Sequence, residues 1–62
     1  MSEVFMIASM VDNEPQFMEY ADGSALLAFK TREEAQEFIK LNNAEDHLFI
    51  VEIPNAGQYR VQ

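Results

Sequence analysis

Carboxylates are the groups this chain has in quantity, and their spacing lets several act together. Glu33, Glu34 and Glu37 fall on successive turns of a predicted helix, and Asp12 and Glu14 sit in a predicted turn. Asp and Glu number 11 against 4 Lys and Arg, a formal charge of -7 on 62 residues. A field of that sign repels nucleic acid and anionic membrane and favours basic partners. The chemistry open to such a set is electrostatic docking on a cationic groove, as a protein-binding face or as a mimic of phosphate spacing. The same acids also keep a small protein soluble, and charge alone does not separate the two roles.

Other chemistry is thinly supplied. There is no Cys, no Trp, a single His (His47) and no phosphate-cradling glycine loop. His47 ends the run Glu45-Asp46-His47, which suggests a metal or acid–base site. Adjacent strand residues point to opposite faces, so a solvated loop before a strand is the expected setting. Asp12-Asn13-Glu14 offers oxygen ligands for calcium, but the alternating loop pattern is missing and Pro15 cuts the run short. An ordinary turn is expected there. Glu52, between Val51 and Ile53, is a candidate general acid; pairing with a base such as Arg60, or solvent exposure, is the simpler expectation. Ser2, Ser9 and Ser24 have only His47 to serve them, and no Gly-x-Ser-x-Gly elbow exists. No catalytic, cofactor-binding or metal-binding residue is assigned, and the chain is expected not to be an enzyme.

The elements that must position these groups follow from the apolar pattern. Val4 to Val11 is apolar at almost every position, as in a strand buried on both faces, and ends in the turn cluster Asp12-Asn13-Glu14-Pro15. Gln16 to Tyr20 predicts a second strand and Ala25 to Lys30 a third, joined through Asp22-Gly23, a hairpin signal. Thr31-Arg32-Glu33-Glu34 is a capping box opening a helix that runs to about Asn42, with Asn42-Asn43 suited to a left-handed stop. Its apolar stripe is Ala35, Phe38 and Ile39, with Leu41 a further candidate; Glu33, Gln36, Glu37 and Lys40 face away. His47 to Ile53 predicts a fourth strand, Pro54-Asn55-Ala56-Gly57 a turn, and Tyr59-Arg60-Val61 an optional fifth strand. The fold class is therefore α+β: one small, single-layer, mixed or antiparallel sheet of three to five strands, order β-β-β-α-β, with one helix on one face. The helix between the third and fourth strands implies a right-handed crossover if those strands lie parallel in one sheet.

Sixty-two residues predict a single domain, 1–62, with one modest core. Such cores rarely give more than about 3–5 kcal/mol unless something staples them. With no cysteine and no ligand cluster, oligomerisation is the remaining common solution. The first and fourth strands are apolar on both faces, and one helix covers only one face of a sheet. The other face is thus expected to be buried against a second copy or a partner, with the homodimer favoured. A signal peptide or a membrane span of about twenty apolar residues is not seen, so a soluble, cytoplasmic protein is expected.

Together these features predict a small acidic interaction protein, not an enzyme, that binds and modulates a larger protein through Glu33, Glu34, Glu37, Asp12 and Glu14. It would bind neither nucleic acid directly nor membrane. An inhibitor of a nucleic-acid-handling protein is the sharpest version, since such targets have basic grooves. The rival expectations are an accessory subunit capped by a different chain, and a small dimeric enzyme or ligand-binding domain using Tyr20, His47 or Glu52. In size, acidity and architecture the chain is similar to small bacteriophage or mobile-element proteins that inhibit host machinery by docking on it, a likeness that transfers no residue.

Overall fold

A computed structural model describes residues 2–55, 57 and 59–61. Among them the elements are β1 (Ser2–Val11), β2 (Glu14–Phe17), β3 (Ala28–Phe29), α1 (Arg32–Leu41) and β4 (Phe49–Asn55). The α+β class and the order β-β-β-α-β are as the sequence predicts, in one antiparallel sheet of 4 strands. The long apolar β1 is its centre. β4 lies along one edge of β1, from Ser2 opposite Asn55 to Ala8 opposite Phe49. β2 and β3 share the other edge end to end, β2 against Ala8 to Val11 and β3 against Phe5 and Met6. β3 and β4 are both antiparallel to β1, hence parallel to each other with β1 between them, and α1 makes the connection.

Local chemistry explains the joints. Asp12 and Asn13 have φ of 52° and 67°, the left-handed pair that a two-residue hairpin loop requires. The loop is therefore tighter than the sequence predicts, and β2 starts at Glu14 rather than Gln16. After Met18 the chain continues into a short hairpin arm. Glu19 bridges Leu26, Tyr20 N–H donates to the Ala25 carbonyl at 2.9 Å, and Gly23 turns at φ 71°. The Asp22-Gly23 hairpin thus exists, but Ala25 to Leu27 belong to the arm and β3 shrinks to Ala28–Phe29.

Thr31 caps α1 from extended geometry, its Oγ1 accepting the Glu34 N–H at 3.1 Å while its hydroxyl donates to Glu34 Oε1 at 3.2 Å. A cap of this kind contributes about 1 kcal/mol. At the other end Asn43 is left-handed at φ 51°; its N–H donates to the Lys40 carbonyl and the Ala44 N–H to that of Ile39. That bond pair is a Schellman motif, and the accompanying apolar contact is Ala44 with Ile39, both buried.

Two apolar clusters lie on the two faces of the sheet. Under α1, Ile7, Leu27 and Phe29 meet Ala35, Ile39 and Ala44. On the second face Val4, Met6 and Ala28 are buried, with Phe17, Leu26, Ile53, Tyr59 and Val61 packed against them. Burying a side chain such as Met6 or Val4 is worth about 1.5–3 kcal/mol. The expectation that a second chain covers this face is corrected at its centre, which the protein's own C-terminal segment covers, while Phe49 is exposed and Val51 and Ile53 are half-buried beside it. Asn55, itself buried, turns that segment back; its Oδ1 accepts the N–H of Gly57 at 3.0 Å and of Tyr59 at 3.3 Å. Arg60 then clips the segment to the arm. Its guanidinium lies 4.0 Å from the Tyr20 ring centre and donates to Ser24 Oγ at 3.0 Å, while the Tyr20 hydroxyl donates to the Arg60 carbonyl at 3.0 Å. The optional fifth strand is a single parallel bridge from Val61 to Ala28. Ala56, in the predicted turn, lies outside the described residues.

Candidate functional site

Helix α1 divides its side of the sheet into two grooves of different character. On the β3 flank, Glu33, Glu34 and Glu37 rim a shallow groove of about 490 Å³ whose apolar wall is Phe29, Phe38 and Leu41. On the β4 flank, Arg32, Gln36, Lys40 and Glu45 surround Ile39, Leu48 and Ile50. The sequence folds this way because 3.6 residues per turn place Glu33, Glu37 and Leu41 in one row and Glu34 and Phe38 in the next. Phe29 arrives from β3, its ring centre 5.6 Å from that of Phe38 and tilted by 47°.

The β3-flank groove combines charge and apolar surface. Among the described residues the Lys or Arg ion pair is Arg32 with Glu52, and His47 contacts Asp46, so none of the rim carboxylates is in an ion pair there. Glu34 is partly engaged by the Thr31 cap, which leaves Glu33 and Glu37 the more available acids. Glu33 and Glu34 also favour the positive end of the helix dipole, a structural role that Glu37, beyond the first turn, does not share. Leu41 is the apolar residue the stripe does not explain. It is 76% exposed, the most exposed large apolar side chain described, and it closes the groove at the helix C-terminus. Its sequence signal was available: it lies off the Ala35–Ile39 stripe and four residues after Glu37.

Asp12 and Glu14 lie elsewhere. Both are exposed at the β1–β2 loop, whereas Phe5 stands level with Phe29, just before the helix start. Phe5 to Asp12 is seven steps along extended chain, about 23 Å at ~3.3 Å per residue. The five acids singled out in the sequence are thus a groove of three and a distant pair. No protein-family model matches the chain, and no curated protein or solved structure is significantly similar to it.

The remaining candidates do not converge. His47 is exposed in the turn before β4, with Nδ1 2.8 Å from Asp46 Oδ1. Glu52 pairs with Arg32 at 3.1 Å, not with Arg60, and both side chains are nearly half exposed. Arg32 comes from the first turn of α1 and also lies 5.3 Å from the Phe5 ring centre. A pair so exposed contributes at most about 1 kcal/mol. Tyr20 is committed to the Arg60 clip. His47 lines a shallow groove beside Met10 and Phe49 at the far end of β1. Among the described residues no group of three or more His, Cys, Asp or Glu is placed to hold a metal ion, and no helix is long and apolar enough to cross a membrane.

Proposed function

We propose that the protein is a non-enzymatic interaction module that binds a basic, amphipathic segment of a larger protein in the groove of Glu33, Glu34 and Glu37. One observation carries this reading: carboxylates outside any ion pair among the described residues rim an apolar wall that ends in an exposed leucine. A solubilising surface has no use for Leu41 in water, and a phosphate mimic has no use for an apolar wall. A segment carrying both Lys or Arg and aliphatic side chains satisfies both parts. The acids would set encounter rate and orientation, and Phe38 with Leu41 would hold the docked side chains. An arginine could also lie over the half-buried Phe38 ring. A basic amphipathic segment of a nucleic-acid-handling protein, inhibited when that segment is held, is the sharpest version of the partner.

The test needs both halves of the groove. Partners are captured on the immobilised protein, and binding is measured for wild type, for the Glu33→Gln, Glu34→Gln, Glu37→Gln triple variant, and for Leu41→Ser. The triple variant is expected to bind at least tenfold more weakly, with a flatter salt dependence, because each lost rim charge slows association. Glutamine at 34 still accepts from Thr31, so helix content should hold. Leu41→Ser is expected to weaken binding with its salt dependence intact. Normal binding by both variants would refute the groove.

A further inference from the structure

The three sheet edges are not equally protected. The β3 edge carries the Val61 bridge. The β2 edge is short, with exposed Glu14, Pro15 and Gln16, and Pro15 has no N–H to offer. β4 is different: among the described residues it pairs with β1 alone. The Ile7 carbonyl accepts from Met18 N–H on the β2 side, so odd-numbered β1 residues bond towards β2 and β3, and even-numbered ones towards β4. On β4, Phe49, Val51, Ile53 and Asn55 therefore bond to β1, while Ile50, Glu52 and Pro54 turn their backbone groups outward. Pro54 fits that assignment, since it lacks the N–H an outward position would leave unpaired. The open edge is thus short and bounded: both groups of Ile50 and both of Glu52, closed by Pro54 on one side and on the other by Leu48, whose N–H already donates to Ala44.

We infer that this edge pairs with the same edge of a second copy, antiparallel, with the two-fold axis at Val51. In that register Ile50 faces Glu52 of the second copy and Glu52 faces its Ile50, so the N–H and C=O groups of both residues are used. Centring the axis on Glu52 would instead set two carboxylates opposite each other. Side chains agree with the Val51 register. Phe49, Val51 and Ile53 on the second face are all partly or well exposed, although the β1 side chains beside them, Ala8, Met6 and Val4, are buried. Pairing about Val51 brings Val51 against Val51 and Phe49 against Ile53, covering that stripe with itself. Charge points to a second copy as the occupant. Arg32 and Lys40 offset all but one of the charges of Glu45, Asp46 and Glu52 along this flank, so two chains of charge -7 meet here with less repulsion than at the acidic groove. The acidic groove lies on the other flank of α1 and stays open, so the dimer would present two of them.

The chain has no cysteine, which makes cross-linking decisive. Val51→Cys is oxidised, with Gln16→Cys on the β2 edge as control. Partners at a non-hydrogen-bonded antiparallel position lie about 4.5 Å apart between Cα atoms, within disulfide reach. Val51→Cys is expected to form a covalent dimer rapidly and Gln16→Cys not to. Sedimentation equilibrium of the wild type at about 100 µM should give twice the 7.1 kDa chain mass, as a small interface predicts weak association. Val51→Lys, which sets two like charges on the axis, should be monomeric with an unchanged circular dichroism spectrum. A wild type that stays monomeric overturns the proposal. So does a dimer that Val51→Lys leaves intact and Val51→Cys fails to lock, because association then uses another surface.

Discussion

Asn55→Ala tests the claim that the protein covers its own second sheet face. Among the described residues, the wild-type side chain accepts the N–H of Gly57 at 3.0 Å and of Tyr59 at 3.3 Å. At a net ~0.5–1.5 kcal/mol per bond, their loss costs about 1–3 kcal/mol. For 62 residues at about 0.05–0.15 kcal/mol each, total stability is about 3–9 kcal/mol, so a third of it is at stake. A chain of this size should lose about 5–20 °C in Tm. Urea unfolding followed by circular dichroism gives the free energy, and amide hydrogen exchange at Tyr59 and Val61 locates the change. Release of the segment should also uncover Val4, Met6 and Ala28 and raise binding of an apolar dye. Asn55→Asp keeps the accepting Oδ1 and should recover part of the loss. An alanine variant within about 0.5 kcal/mol of wild type, with exchange at Tyr59 unchanged, would refute the self-covering account.

Two further outcomes follow from local chemistry. Thr31→Ala removes the acceptor for Glu34 N–H and should cost about 1 kcal/mol in thermal unfolding, whereas Thr31→Ser should be near neutral; equal losses would show that the cap contributes nothing. The Asp22 carboxyl is held below its usual value by hydrogen bonds from the Ser24 side chain and backbone, with help from Arg60. A depressed carboxylate contributes stability above its unfolded value, near 3.8, and loses it as pH falls through the folded value. The stability gap between wild type and Asp22→Asn should therefore be present at neutral pH and close below about pH 4; a gap constant across the titration would contradict this.

Sequence alone determined the elements whose signals are local. The Thr31–Glu34 cap, the left-handed stop at Asn43 and the apolar run of β1 each depend on residues a few positions apart, and each is found where the pattern places it. The three helix acids share a groove because helical periodicity fixes which residues are neighbours. Only the tertiary structure decided what meets across the chain. Phe29 as the groove's other wall, Arg32 rather than Arg60 as the partner of Glu52, and the separation of Asp12 and Glu14 from the groove all depend on strand order and register. The cover of the second face was the largest such item. Its residues, Tyr59 and Val61, lie more than fifty positions from Val4 and Met6 and return to them because one buried asparagine turns the chain. Hydrophobic pattern records that a face must be buried, and chain geometry decides by what.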